Sequence, residues 1–415
     1  MTETTEAGLA PKQPSGIRTA AVMCIQLINM GVCAITPAIA VLTEYWGSNP
    51  LTAALPVTLV STIVTLTTML GIVISGALVN KVKPKILAII ASVLFTFFGV
   101  LPFFIYNSYI FLLVCRALCG IGIGMMNPLG NAIVLGCYAG DKKDSLLGYG
   151  TLMMNGGGMV LQTVAGVLAG VGVGGRYVFL AHLFGIIAII FAFLLPDPDL
   201  YQGEAAQEAP EGVEEAPKEK AHLPGSVWIV AIIIFGFNVL NYPAMLNCSS
   251  VLLDIGVSES NASFIASMAL NCYTIFGMIA SAIFGKVFQK IPSLTMPLGF
   301  LCAALGIFLI IVPGNIACVC IGMALIGGGF CLVYPACFSW CNAVCDPSSY
   351  ASGISVIQTL MNFGGFVATY WMLLLAALTG ESVYSAGWAE CIGCIAFAII
   401  FLLYNPWKGK KAQEA

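Results

Sequence analysis

Apolar residues run in long, nearly unbroken blocks along this chain, separated by short polar stretches. Twelve blocks approach or exceed the roughly 20 residues that a helix needs to cross a hydrocarbon core. The first six are Thr19–Leu42, Leu51–Leu78, Ile86–Tyr106, Tyr109–Cys137, Leu146–Val171 and Tyr177–Leu195. The second six are Ser226–Met245, Ala262–Val287, Leu294–Val312, Ile316–Asn342, Tyr350–Leu378 and Val383–Tyr404. Lipid offers no partner to a free backbone N–H or C=O, so each block must be helical. The pattern predicts an all-α integral membrane protein with twelve transmembrane helices.

Polar sequence punctuates the blocks unevenly. Residues 196–224 hold Asp197, Asp199, Glu204, Glu208, Glu211, Glu214, Glu215 and Glu219 among Pro and Ala. Such a composition cannot bury enough apolar surface to fold alone. The expected layout is a cytoplasmic tail (1–17), a six-helix bundle (18–195), a flexible acidic cytoplasmic linker (196–224), a second six-helix bundle (225–404) and a basic cytoplasmic tail (405–415).

Composition agrees with burial in lipid: 59% of the 415 residues are hydrophobic and 8% are charged, against about 25% charged in soluble domains. Placing the N-terminus inside puts Lys12, Arg18, Lys81, Lys83, Lys85, Lys142, Lys143, Lys218, Lys220, Lys286, Lys290, Lys408, Lys410 and Lys411 on the cytoplasmic side. Arg176 alone lies outside, and Arg116 lies within a span. This bias is the positive-inside signature, and it sets both chain ends in the cytoplasm of a cell-membrane protein. The net charge of −3 gives no basis for a nucleic-acid partner. Most of the 16 cysteines, among them Cys24, Cys33, Cys115, Cys119, Cys302 and Cys331, sit in apolar runs. There they pack as small hydrophobes, and the Cys391/Cys394 pair reads the same way. The first block lacks a cleavage signal and reads as an uncleaved helix.

The two groups of six share an internal repeat. Asn29 and Asn238 are 209 residues apart, as are Gly76 and Gly285. Gly120, Gly122 and Pro128 match Gly327, Gly329 and Pro335 at an offset of 207, and Met154–Gly158 matches Met361–Gly365 at the same offset. A near-constant offset across four spans points to a duplicated half.

Residues 76–85, Gly-Ala-Leu-Val-Asn-Lys-Val-Lys-Pro-Lys, resemble the Gly-x-Leu-Ala-Asp-Arg-x-Gly-Arg-Lys loop of the major facilitator superfamily. Gly76, Leu78, Lys81 and Lys85 fit that pattern, whereas Asn80 replaces its acidic residue. Arg116 followed by Gly120, Gly122 and Gly124 resembles the family's fourth helix, and Gly175-Arg176-Tyr177-Val178-Phe179 resembles its approach to the sixth. The resemblance implies two pseudo-symmetric six-helix bundles around a central cavity, which rock to expose it alternately to each side. It also implies a gating role for Gly76, Asn80, Lys81 and Lys85. Arg116 could serve as anion ligand, coupling aid or structural and gating group.

Polar side chains inside spans are costly and usually face the bundle interior. The substrate-cavity candidates are Asn29, Asn127, Asn238, Asn241, Tyr242, Asn271, Tyr334, Gln358 and Asn362. Gln26, Asn131, Asn155, Gln162 and Tyr273 are further polar residues of the same helices. Amides both donate and accept, which suits a neutral or anionic small solute, although hydrogen bonding between helices is the alternative for Asn155 and Asn362. No acid lies mid-span on these boundaries, since Glu44, Asp254, Glu259 and Glu390 fall near the outer surface. That disfavours a cation exporter. A coupling proton would need His182, Glu44, Glu390 or Arg116, and a lone His in an apolar helix is more often structural. The mid-span glycines and Pro37, Pro128, Pro243 and Pro335 read as packing and bending devices.

The expected activity is therefore secondary active transport of a small organic solute, by a monomer without cofactor or metal. Efflux with proton antiport is the alternative. A membrane-embedded enzyme would require clustered His, Asp or Glu, and the chain has two His. A sensor would require a folded soluble domain. No phosphate-cradling Gly-x4-Gly-Lys-Ser/Thr loop is present to use ATP.

Overall fold

A computed structural model describes residues 14, 16–78, 81–138, 140–196, 223–312, 314–345, 347–380 and 383–404. Asn80, most of the expected linker, nearly all of the expected N-terminal tail and the whole C-terminal tail lie outside the described residues. The described chain is helical throughout, without a strand. The N-terminal half comprises α1 (Ile17–Cys24), α2 (Ile39–Trp46), α3 (Leu59–Leu78), α4 (Pro84–Phe104), α5 (Tyr109–Cys137), α6 (Gly140–Ala169) and α7 (Gly185–Phe193). The C-terminal half comprises α8 (Gly225–Leu246), α9 (Cys248–Asp254), α10 (Glu259–Lys290), α11 (Pro292–Ile311), α12 (Ile316–Val344), α13 (Pro347–Thr379) and α14 (Val383–Leu403). Eleven stretches are long and apolar enough to span a bilayer, and the apolar part of α14, Gly387–Leu403, supplies the twelfth segment.

The boundaries follow local chemistry. Pro84 and Pro292 open α4 and α11, where their missing N–H costs nothing. The Ser108 hydroxyl caps α5 by accepting from the Phe111 N–H, and the Asn315 side chain caps α12 by accepting from Ala317 N–H at 2.8 Å. Gly175, at φ 67°, supplies the left-handed turn that starts the sixth crossing.

The first crossing differs from the continuous helix expected. Between α1 and α2 it tightens into 3-10 turns at Ile25–Ile28, Gly31–Cys33 and Thr36–Ala38. Pro37 lies in the last of these and cannot donate a ladder hydrogen bond. Gly157 of α6 is packed onto the Leu27 carbonyl so closely that a side chain there would overlap it. The sixth crossing also begins as a 3-10 stretch, Arg176–Phe184, and continues into α7. By contrast α5, α8 and α12 run on through Pro128, Pro243 and Pro335.

Glycines set the packing, and they do so twice over. Gly120 and Gly124 of α5 rest on Val64, Thr67 and Thr68 of α3, while Gly122 rests on Ala91 and Phe95 of α4. In the second half Gly327 of α12 rests on the Tyr273 carbonyl of α10, and Gly329 rests on Gly299 of α11. The repeat seen in sequence is thus a repeat of contacts. Small residues let backbones approach where water provides no driving force. The outer surface presents Val73, Phe104, Ile232 and Leu378, as a lipid-facing surface requires.

Among the described residues, the hydrogen bonds between the halves gather at one end of the bundle. There Ser249 accepts from the Ala40 N–H at 3.2 Å, Thr62 and Thr369 share a hydrogen bond of 2.8 Å, and Asn271 donates to Thr163 at 2.8 Å. Gly166 of α6 and Gly170, just past its end, press against Ser263, Ser267 and Ser260 of α10. These contacts lie toward the face that carries the loops after α2, α4 and α6. Toward the opposite face, which carries residues 16 and 404, a methyl group at Gly76 of α3 would meet nothing within 4 Å.

The glycine packing yields a paired test. A methyl group at Gly327 would lie 2.1 Å from the Tyr273 carbonyl, whereas one at Gly328 meets nothing within 4 Å. Gly327→Ala should lower the thermal midpoint of the detergent-solubilised protein, at a cost of about 1–3 kcal/mol for overpacking. Gly328→Ala should leave it unchanged or raise it, since Ala favours helix by roughly 1 kcal/mol.

Candidate functional site

Helix geometry arranges the polar residues in two layers. In α5, Arg116, Gly120, Asn127 and Asn131 recur at helical spacing and share one face. Asn127 and Asn131 lie toward the open end and are exposed, while Arg116 and Gly120 lie toward the closed end and are buried. Asn155 of α6 and Asn362 of α13 are half-exposed counterparts, each donating to the carbonyl four residues before it, Thr151 and Gln358, at 2.9 Å. In the C-terminal half the Gln358 amide donates to the Tyr334 hydroxyl at 3.3 Å. Tyr334 in turn lies between Phe330 and Phe338. Asn127 is thus exposed and Asn155, Tyr334, Gln358 and Asn362 are half-exposed, two of them in the first half and three in the second.

The deeper layer is closed. Asn238 donates to the Met361 carbonyl at 2.6 Å and ties α8 to α13. Asn241 is buried, and its side-chain oxygen has no partner. Tyr242 reaches across toward Cys33, Ser61 and Arg116 of the other half, with its hydroxyl next to the Ser61 side chain. Asn271 uses its NH2 group on Thr163 and leaves its oxygen free. Asn29 is 3% exposed and sits in the tightened first crossing, donating to Gln26 at 3.4 Å. The structure therefore places Asn29 and Asn238, which are equivalent by sequence offset, in packed interior rather than on the open wall.

Arg116 is fully buried without an acidic partner. Its Nε donates to the Val60 carbonyl at 2.8 Å, and one terminal nitrogen meets His182 Nε2 at 2.9 Å. His182 Nδ1 lies 3.1 Å from the Phe179 carbonyl, which can only accept. Nδ1 must therefore carry the proton, and Nε2 must accept from the guanidinium. Both ring nitrogens are committed, and a proton on Nε2 would confront the Arg116 donor. His182 is thereby a neutral acceptor that ties the sixth crossing to α3 and α5. This pairing across 66 residues was not readable from sequence, although Arg116 and His182 were the only residues of their kind within spans. The second terminal nitrogen of Arg116 has no partner and adjoins the Tyr242 side of the interface.

Gly76 and Lys81 are exposed and Lys85 is half-buried at the open face. Glu390 lies in α14 about two turns from Val383, as its span boundary implies, and is 2% exposed with its Oε1 unpartnered. No cluster of three or more His, Cys, Asp or Glu occurs among the described residues.

Two duplicated helical halves, closed at one end over a polar wall, define a membrane transporter fold. The profile of the Major Facilitator Superfamily matches residues 20–369, and the chain belongs to that superfamily. No curated protein matches it. Among solved structures it is similar to a peptide transporter POT in complex with sulfate, at 14% identity and TM-score 0.74, covering 98% of each chain. A D-xylose–proton symporter matches at 14% identity and TM-score 0.71, over 96% of this chain and 98% of that one. A bacterial homologue of the human lysosomal transporter Spinster, inward-facing and unoccupied, matches at 14% identity and TM-score 0.62, over 94% and 95%. At these identities the likeness shows the fold.

The clasp predicts a mutational pattern. His182→Leu leaves a buried guanidinium N–H unmet and should destabilise the protein by about 1–3 kcal/mol, read as a lower thermal midpoint in detergent. Adding Arg116→Leu removes the stranded charge and should recover part of that loss.

Proposed function

We propose that the chain is a secondary active transporter that carries a small neutral or anionic organic solute across the cytoplasmic membrane by alternating access. The observation that carries this reading is where the halves touch. Neutral hydrogen bonds and glycine contacts join them at one end, and Asn127, Asn155, Tyr334, Gln358 and Asn362 remain exposed or half-exposed. The positive-inside rule turns the open face to the cytoplasm, which makes this the inward-open state. The unmet donor nearest the seal, on Arg116, favours a solute that offers an oxygen acceptor. A proton is the proposed driving ion, in keeping with the similarity to a D-xylose–proton symporter and with a buried carboxyl at Glu390.

A thermal-shift screen of the purified protein against sugars, amino acids, organic acids and drugs tests the solute class. A ligand at 100 times its Kd stabilises by about 2.7 kcal/mol. A sugar or organic acid should raise the midpoint, and Asn127→Ala combined with Gln358→Ala should abolish that rise. An equal rise in the double variant sinks the cavity assignment. For topology, a fluorescent protein fused after Ala415 should light up, and an exported phosphatase fused there should stay inactive. The reverse result refutes the orientation.

A further inference from the structure

Three ionisable side chains other than Cys and Tyr are buried among the described residues: Arg116, His182 and Glu390. The first two satisfy each other, and Glu390 is left over. Its position is not arbitrary. His182 and Glu390 are 208 residues apart, and each is followed three residues later by a glycine, Gly185 and Gly393. Each lies about two turns into the last crossing of its half, measured from the closed face. The duplicated fold therefore sets one titratable group at the same depth in both halves.

The surroundings differ in one respect. The position that Arg116 holds in α5 falls, at the offset of 207, on Met323 in α12, which is fully buried. Among the described residues Glu390 accordingly has no counter-ion. The helices α8, α11, α12 and α13 carry no Asp, Glu, Lys, Arg or His, and their ionisable residues are cysteines and tyrosines alone. On its own helix the nearest titratable neighbour is the Cys394 thiol, while the Cys391 thiol is turned to the Ala304 carbonyl at 3.4 Å. An unpaired carboxylate is not sustained in such a setting; the group takes a proton instead. In this conformation Glu390 is a neutral acid.

Resting on the proton-driven reading above, we infer that Glu390 holds the coupling proton during the transport cycle. The bond formed is O–H on a Glu390 carboxylate oxygen, from hydrated H+. The bond broken on release is the same one, and the proton returns to water. The geometry supplies a route for control. Gly393, one turn on, is packed against Leu240 of α8. The next two residues of α8, Asn241 and Tyr242, face the seam between the halves, where Tyr242 approaches Ser61 and Arg116. On this assignment, opening the sealed end moves that segment of α8, which packs on α14 one turn from Glu390. Water then reaches the carboxyl from the outer side, and resealing excludes it.

Infrared difference spectra between acidic and alkaline buffer test the proton site without any solute. The wild type should show the carbonyl stretch of a buried protonated acid, and Glu390→Gln should lack it, while Cys394→Ala should keep it. Absence of the band from the wild type overturns the proposal. Uptake into proteoliposomes of the compound giving the largest thermal shift tests coupling. A gradient of one pH unit can sustain about tenfold accumulation per proton. Glu390→Gln should lose that accumulation yet still exchange labelled for unlabelled compound, which also shows that it is folded. If the wild type ignores the gradient, the proton-driven reading fails and this assignment with it. If wild type and Glu390→Gln respond to the gradient alike, Glu390 alone is refuted.

Discussion

Hydrocarbon cannot hydrogen-bond, and this single restriction governs where every polar atom of the bundle sits. A polar side chain in a span must find a protein partner or face an aqueous space. Asn238 finds the Met361 carbonyl, Asn271 finds Thr163, and Arg116 finds the Val60 carbonyl and His182. Asn127 and Asn131 instead lie exposed on the open side of α5. Sorting side chains by which solution they adopt separates the structural ties from the cavity wall more cleanly than residue type does. All four amides just named are asparagines.

The same restriction explains why so much of the fold was legible in sequence. Helical spans are the only way to satisfy the backbone in lipid, so apolar block lengths gave the twelve crossings and α8, α11 and α13 fell within a few residues of expectation. Positions lost in translation were those set by tertiary contact. The first crossing reads as an ordinary span, and its 3-10 turns became visible only with Pro37 and the Leu27–Gly157 contact in place. Asn29 and Asn238 share an offset but not an environment, because the tightened turns have no counterpart in α8. The burial of Glu390 depends on how α14 packs on its neighbours. The distance from a span boundary does not carry that information.

Arg116 shows how a cost is contained. A guanidinium at mid-span costs about 3 kcal/mol on insertion scales, and no carboxylate offsets it here. Neutral acceptors do, and the histidine is fixed as an acceptor because the Phe179 carbonyl uses its only N–H. The arrangement leaves one guanidinium nitrogen unmet at the level of the seam. An acidic partner would have silenced it. A neutral clasp leaves the positive charge of Arg116 uncompensated within the protein interior.

The seam itself is built to part. Its hydrogen bonds join hydroxyls and amides, Thr62 with Thr369, Asn271 with Thr163, and Ser249 with the Ala40 N–H. Such neutral bonds contribute about 1 kcal/mol each net. Exchange of any one of them for water would cost little. Ion pairs in the same places would have to be stripped of water on every closure, with the larger penalty that burying charge carries. The glycines at the end of α6 that lie flat against the serines of α10 add close contact without interlocking side chains, so the surfaces can separate without repacking either half. A seal of small, neutral and smooth groups lets a bound solute tip the balance between the two states, because only a small difference has to be overcome.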